Sequence, residues 1–188
     1  MANLLTLDEY KEYEGLSSTK EDTKLELLVN SVSQLVKTYC GNSIVDYYYS
    51  DKVEEFSMRW ASNVVQLTES PLVSVTSIQS RTSETAEYTT LAATDYHVDV
   101  STDSVFRVSK DWEQGFGSVK VTYKAGYPST PADLKLALVD LVRFYYKNEY
   151  KERQSLSGAS VDNPSSNSSA NVAFPDHIKR VLDLYKNY

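Results

Sequence analysis

The hydrophobic period changes twice along this chain, and that order limits the fold more than any single motif does. Apolar residues three and four apart dominate both ends, whereas residues 44–128 carry short alternating runs. A helix-period pattern cannot bury its apolar residues as a strand, and the reverse also holds. The predicted class is therefore α+β. Two N-terminal helices, one long central helix and one C-terminal helix form a bundle, and an antiparallel β insert lies between helices 2 and 3.

Thr6-Leu7-Asp8-Glu9 has the capping-box pattern, which predicts a short helix to about Glu14 closed by Gly15. Ser18-Thr19-Lys20-Glu21 repeats the pattern and predicts the start of a longer helix. There Leu25, Leu28, Val29, Val32, Leu35, Val36 and Tyr39 share one face, and Gly41 ends the run. Strands are expected around residues 47–49, 53–58, 64–67, 73–78, 88–91, 96–100, 105–108 and 118–123. Val73, Val75 and Ile78 should supply one apolar face, and the spacing suits a sandwich or small barrel. After the turn Ala125-Gly126-Tyr127-Pro128, Thr130 can cap a helix with Pro131 at its first position. That helix should run to about Glu152, with Leu134, Leu138, Leu141 and Tyr145 packing on Leu25, Leu28, Val32, Leu35 and Val36.

The expected organisation is a bundle core over 1–43 and 129–153, a β insert over 44–128, a tether over 154–172 and a terminal amphipathic helix over 173–188. The tether is almost entirely Ser, Asn, Gly, Ala and Asp, a composition that cannot build a core. Phe174, Ile178, Val181, Leu182 and Tyr185 form the terminal stripe, which suits either its own bundle or a groove on another subunit.

Composition narrows the function by exclusion. With 26 acidic and 19 basic residues the net charge is −7, the wrong sign for a surface that grips phosphates. The single cysteine, Cys40, permits no internal disulfide, fits synthesis in a cytoplasm and is expected to be buried. The first residues lack the basic and apolar regions of a signal peptide, and no apolar run approaches the roughly 20 residues needed to span a bilayer.

His97 and Asp99 would share a strand face, but the other histidine, His177, lies near the far end of the chain. A metal site is therefore poorly supplied. Gly115-Phe116-Gly117-Ser118 lacks the lysine of a phosphate cradle and opens a strand. Glu54 and Glu55 alternate sides and read as solvent charges. No catalytic residue, metal ligand or cofactor site is predicted, and the 15 tyrosines suit half-buried packing and subunit contacts.

Several segments in this order resemble the head–tail connector proteins of tailed bacteriophages, also called adaptor or head-completion proteins. They are Leu5-Thr6-Leu7-Asp8-Glu9-Tyr10-Lys11, Tyr39-Cys40-Gly41-Asn42, Pro71-Leu72-Val73-Ser74-Val75-Thr76-Ser77 and Asp95-Tyr96-His97-Val98-Asp99. They continue through residues 119–127 into the following helix, and close with Phe174-Pro175 and residues 178–185. The resemblance implies a virion protein with no enzymatic activity. It implies a dodecameric self-ring beneath the portal protein that continues the DNA channel, contacts a downstream neck, stopper or tail protein, and passes DNA without reading its sequence. It also implies that Phe174, Ile178, Val181, Leu182 and Tyr185 anchor to the portal or to a neighbouring subunit. The alternative from another class is a carbohydrate- or peptide-binding β module with helical flanks, using Trp60 and Trp112 as its site.

Overall fold

The computed structural model describes residues 2–147 and 174–186. The chain forms two compact units: Gly41–Ser129 with Ala2, and the described residues of Asn3–Cys40 and Thr130–Lys186. The expected tether over 154–172, and residues 148–152 of the expected central helix, lie outside the described residues.

The second unit is helical. Helix α1 (Leu7–Glu14) starts in the expected capping box: the Glu9 N–H donates to the Thr6 hydroxyl at 3.2 Å, and the Thr6 N–H donates to the Glu9 carboxylate at 2.9 Å. Gly15 closes it in the left-handed conformation. Helix α2 (Asp22–Cys40) begins later than its sequence predicts. The second capping box is not formed: the Ser18 hydroxyl accepts from the Lys20 N–H at 3.4 Å, and the Glu21 carboxylate accepts from the Tyr146 hydroxyl at 2.8 Å. Helix α3 (Ala132–Tyr146) has Pro131 as its N-cap residue, and Thr130 does not serve as a side-chain cap. Helix α4 (Asp176–Asp183) completes the unit.

Helices α2 and α3 pack on each other, α4 packs on both, and α1 packs on α2. Leu25, Val29, Val32 and Val36 of α2 are buried, as are Leu134, Ala137, Leu138, Leu141 and Val142 of α3. Leu28, Leu35 and Tyr145 of the expected packing set are half-buried. Cys40 is fully buried, and burial pushes its thiol up to about 11, so it is a packing residue and not a nucleophile.

The first unit is all antiparallel. Strands β1 (Lys52–Met58), β7 (Gly115–Ala125), β3 (Leu72–Ser80) and β4 (Thr89–Thr90) form one sheet in that order. Strands β2 (Val64–Gln66), β6 (Ser104–Arg107) and β5 (Tyr96–Asp99) form a second. Val65 and Val105 of the smaller sheet share one core with Leu72, Ile78, Val119, Val121 and Tyr123 of the larger. Alternation predicts Val73 on that apolar face, yet it is 41% exposed. Pairing between β3 and β7 shifts between Leu72 and Ser74 and again between Val75 and Ser77, and each such shift breaks the in–out alternation. Tyr47, Tyr48 and Tyr49 lie in turns instead of a strand, with the Tyr47 carbonyl accepting from the Ala125 N–H at 3.1 Å.

The two ends of the β unit meet. The Tyr127 N–H donates to the Ile44 carbonyl at 2.7 Å, and the Gly126 N–H donates to the Pro71 carbonyl at 2.8 Å. A Cβ on Gly126 would lie 2.3 Å from the Ile44 oxygen, and φ there is +99°. Only glycine tolerates that backbone and that approach. Gly126→Ala should therefore lower stability by about 2–3 kcal/mol, read as a reduced urea midpoint with an unchanged slope.

Candidate functional site

The terminal stripe is placed against the chain's own helices. Ile178 and Leu182 are buried, and the Phe174 ring meets Tyr39 edge-on with centroids 5.0 Å apart. The Tyr39 hydroxyl donates to Asp183 at 2.7 Å, and the Tyr185 hydroxyl donates to Asp133 at 2.6 Å. Val181 is half-buried. In the single chain, Phe174, Ile178 and Leu182 lie buried against its own helices, and Val181 and Tyr185 keep part of their surface open. The apolar side chain that α4 leaves open is Leu184, 76% exposed.

A buried ionic cluster in the β unit was not anticipated. Lys52 of β1 lies 2.7 Å from the Glu54 carboxylate and 3.0 Å from that of Glu69, and donates to the Thr68 hydroxyl at 2.7 Å. The Thr68 hydroxyl also bonds Glu54. The Tyr123 hydroxyl donates to Glu54 at 2.9 Å and accepts from the Glu69 N–H at 3.2 Å. The Ser43 N–H and hydroxyl both donate to Glu69, at 2.8 and 2.7 Å. The expectation that Glu54 faces solvent is thus wrong. Lys52 and Glu54 share the inward parity of Phe56 and Met58, a signal legible in the period-2 pattern.

Burial acts to raise the Glu54 carboxyl, but bonds from Lys52, Thr68 and Tyr123 outweigh it and hold it below the ordinary carboxylate range. Burial likewise acts to lower the Lys52 ammonium, yet Glu54 and Glu69 leave it raised. Burial, with Glu54 beside it, pushes the Tyr123 hydroxyl well above the usual tyrosine range. One ammonium serves both carboxylates, and neutral donors from Thr68, Tyr123 and Ser43 satisfy the remaining oxygens, so the cluster stabilises a conformation and has no poised acid or base.

Elsewhere the reactive side chains are engaged or scattered. His97 is exposed, and the Asp99 carboxylate accepts from the Ser101 N–H and hydroxyl at 2.9 and 2.6 Å. Among the described residues no group of three His, Cys, Asp or Glu is arranged to hold a metal ion. Trp60 is 78% exposed, but Trp112 is 2% exposed and belongs to the β core. Trp112 is therefore not an exposed aromatic of the kind the carbohydrate- or peptide-binding alternative needs. No helix among the described residues is long and apolar enough to cross a membrane.

The sequence profile of the head completion proteins matches residues 3–188. The chain belongs to the head completion protein family. This is a structural, non-enzymatic family. A relative within it, the head completion protein of Escherichia phage T5, is 22% identical over 183 residues, covering 97% of this chain and 98% of that protein. The fold is similar to a chain in the neck of an empty gene transfer agent particle computed with C6 symmetry. That match has a TM-score of 0.63 and 16% identity, over 98% of this chain and 90% of the other. A chain in the native gene transfer agent neck, computed with C12 symmetry, gives a TM-score of 0.61 and 14% identity over the same shares. For this head completion family member the functional surface is thus sought on the outside of its helices and sheets.

The ionic cluster carries a signed pH prediction. The Glu54 contribution is complete above its ordinary value of 4.5 and is lost as pH falls through its lowered folded value. The Lys52 contribution is complete below its ordinary value of 10.5 and is lost as pH rises through its raised folded value. Glu54→Gln should cost about 2 kcal/mol at neutral pH, the loss of charge-assisted hydrogen bonds. In thermal melts, the gap between wild type and this variant should stay constant through neutral pH and narrow below 4.5.

Proposed function

We propose that this chain is a head–tail adaptor of a phage-like particle: a self-ring at the neck that joins the portal to the next neck or tail protein and continues the DNA channel. Family membership over residues 3–188 is the observation that carries the reading. The likeness to chains of a neck computed with C12 symmetry supports a twelvefold ring.

The physical character of the chain agrees with that role. The net charge of −7 disfavours adhesion to a polyanion, which suits a channel through which DNA slides. The helical unit presents long outer faces that can pack side by side, and a head-to-tail contact repeated around an axis closes into a ring. In isolation the chain is monomeric or weakly associated, and it assembles on the portal, which raises its local concentration.

Mixing the purified chain with its purified portal, followed by negative-stain imaging, tests this reading. Rings seated coaxially on the portal are expected. A mixture in which the portal stays bare at micromolar chain concentration contradicts it. A chain ending at residue 155 isolates the part played by α4. Because α4 covers Cys40 and the ends of α2 and α3, its loss should lower stability by more than 3 kcal/mol, as removal of buried side chains does. Portal binding should fall with it.

A further inference from the structure

Among its described residues, the helical unit carries unpaired charge of opposite sign on two different helices. Helix α1 sorts its acids by direction. Glu9 lies 2.7 Å from Lys135 of α3, and Glu14 lies 3.7 Å from Arg143 of α3, so these two face inward. Asp8 and Glu12 are exposed, and no partner is found for either side chain among the described residues. Tyr13 and Leu16 add exposed apolar area beside them.

Helix α4 sorts its charges the other way. Asp183 is held inward by Tyr39, whereas Lys179 and Arg180 are exposed, again with no partner among the described residues. Asp176, in the first turn, offsets part of this charge, and the exposed Leu184 adds apolar area.

Helix α1 is tied to α3 through Lys135 and Arg143, and the Tyr185 hydroxyl, just past α4, donates to Asp133 at the start of α3. Among the described residues no ion pair joins Asp8 or Glu12 to Lys179 or Arg180. Both sets of charge are thus open to another chain.

We propose that ring closure is heterologous, with the Asp8–Glu12 face of α1 on one copy meeting the Lys179–Arg180 face of α4 on the next copy. This deepens the adaptor-ring reading and rests on it. A contact between two different faces repeats around an axis, whereas a self-complementary patch stops at a dimer. The charges set register and encounter rate, and Tyr13, Leu16 and Leu184 supply the apolar part of the contact. The same logic accounts for α4 using its apolar stripe inside its own chain: the stripe fixes the helix so that its polar face can serve the neighbour.

A charge-swap series on the full chain with purified portal tests this. One variant carries Asp8→Asn and Glu12→Lys. Asparagine is used at position 8 because a lysine in the first turn of α1 would oppose the helix dipole. The second carries Lys179→Glu and Arg180→Glu, and the third combines all four changes. Circular dichroism and melting curves show whether each variant folds. The neutral pair Lys179→Gln and Arg180→Gln replaces the second variant if it does not.

Wild type should give rings on the portal that weaken as salt rises. Each one-face variant should need at least tenfold more protein to give the same number of rings, and the combined variant should recover most of that loss. Folded one-face variants that form rings like wild type overturn this interface and leave the adaptor reading standing. So does a folded combined variant no better than either parent. A portal left bare by wild type itself contradicts both.

Discussion

The structure depends on a backbone hydrogen bond where the β unit leaves and rejoins the helical part of the sequence. The Tyr127 N–H reaches the Ile44 carbonyl at 2.7 Å, with Gly126 pressed against the same oxygen. A segment whose ends meet can be inserted into a helical chain without separating the helices on either side of it. Helices α2 and α3 are adjacent in space although residues 41–131 lie between them in sequence. Without that closure, the long loop would oppose their packing by its own entropy.

Much of this was legible in the amino-acid order. The Thr6–Glu9 capping box and the α2 stripe depend on contacts a few residues apart, and local pattern reports such contacts well. The failures share a cause, which is competition from distant partners. Around the expected second capping box, Glu21 bonds the distant Tyr146 and Ser18 turns to the Lys20 N–H. Val73 would face the core if bulges did not interrupt β3. Glu54 looked like a solvent charge because its partners Thr68 and Tyr123 are distant in sequence. The C-terminal stripe allowed two destinations, and within the single chain it meets Tyr39, Cys40 and Asp133.

The division of labour between the units follows from their chemistry. The β unit holds its charges in a closed cluster of Lys52, Glu54 and Glu69, which favours one conformation over alternatives but offers little to a partner. The helical unit keeps its apolar stripes inward and leaves Asp8, Glu12, Lys179 and Arg180 on its outer faces. A protein that joins larger machines needs rigid parts and directional surfaces more than reactive groups, and the head completion family is structural in this sense.

The most direct measurement is a reconstruction, by electron cryomicroscopy, of the genome-entry vertex in intact particles that encode this chain. The account predicts density for the α2–α3–α4 bundle repeated around the axis between portal and tail, with α1 of each copy beside α4 of the next. Particles with complete necks that lack this chain at that vertex would contradict it.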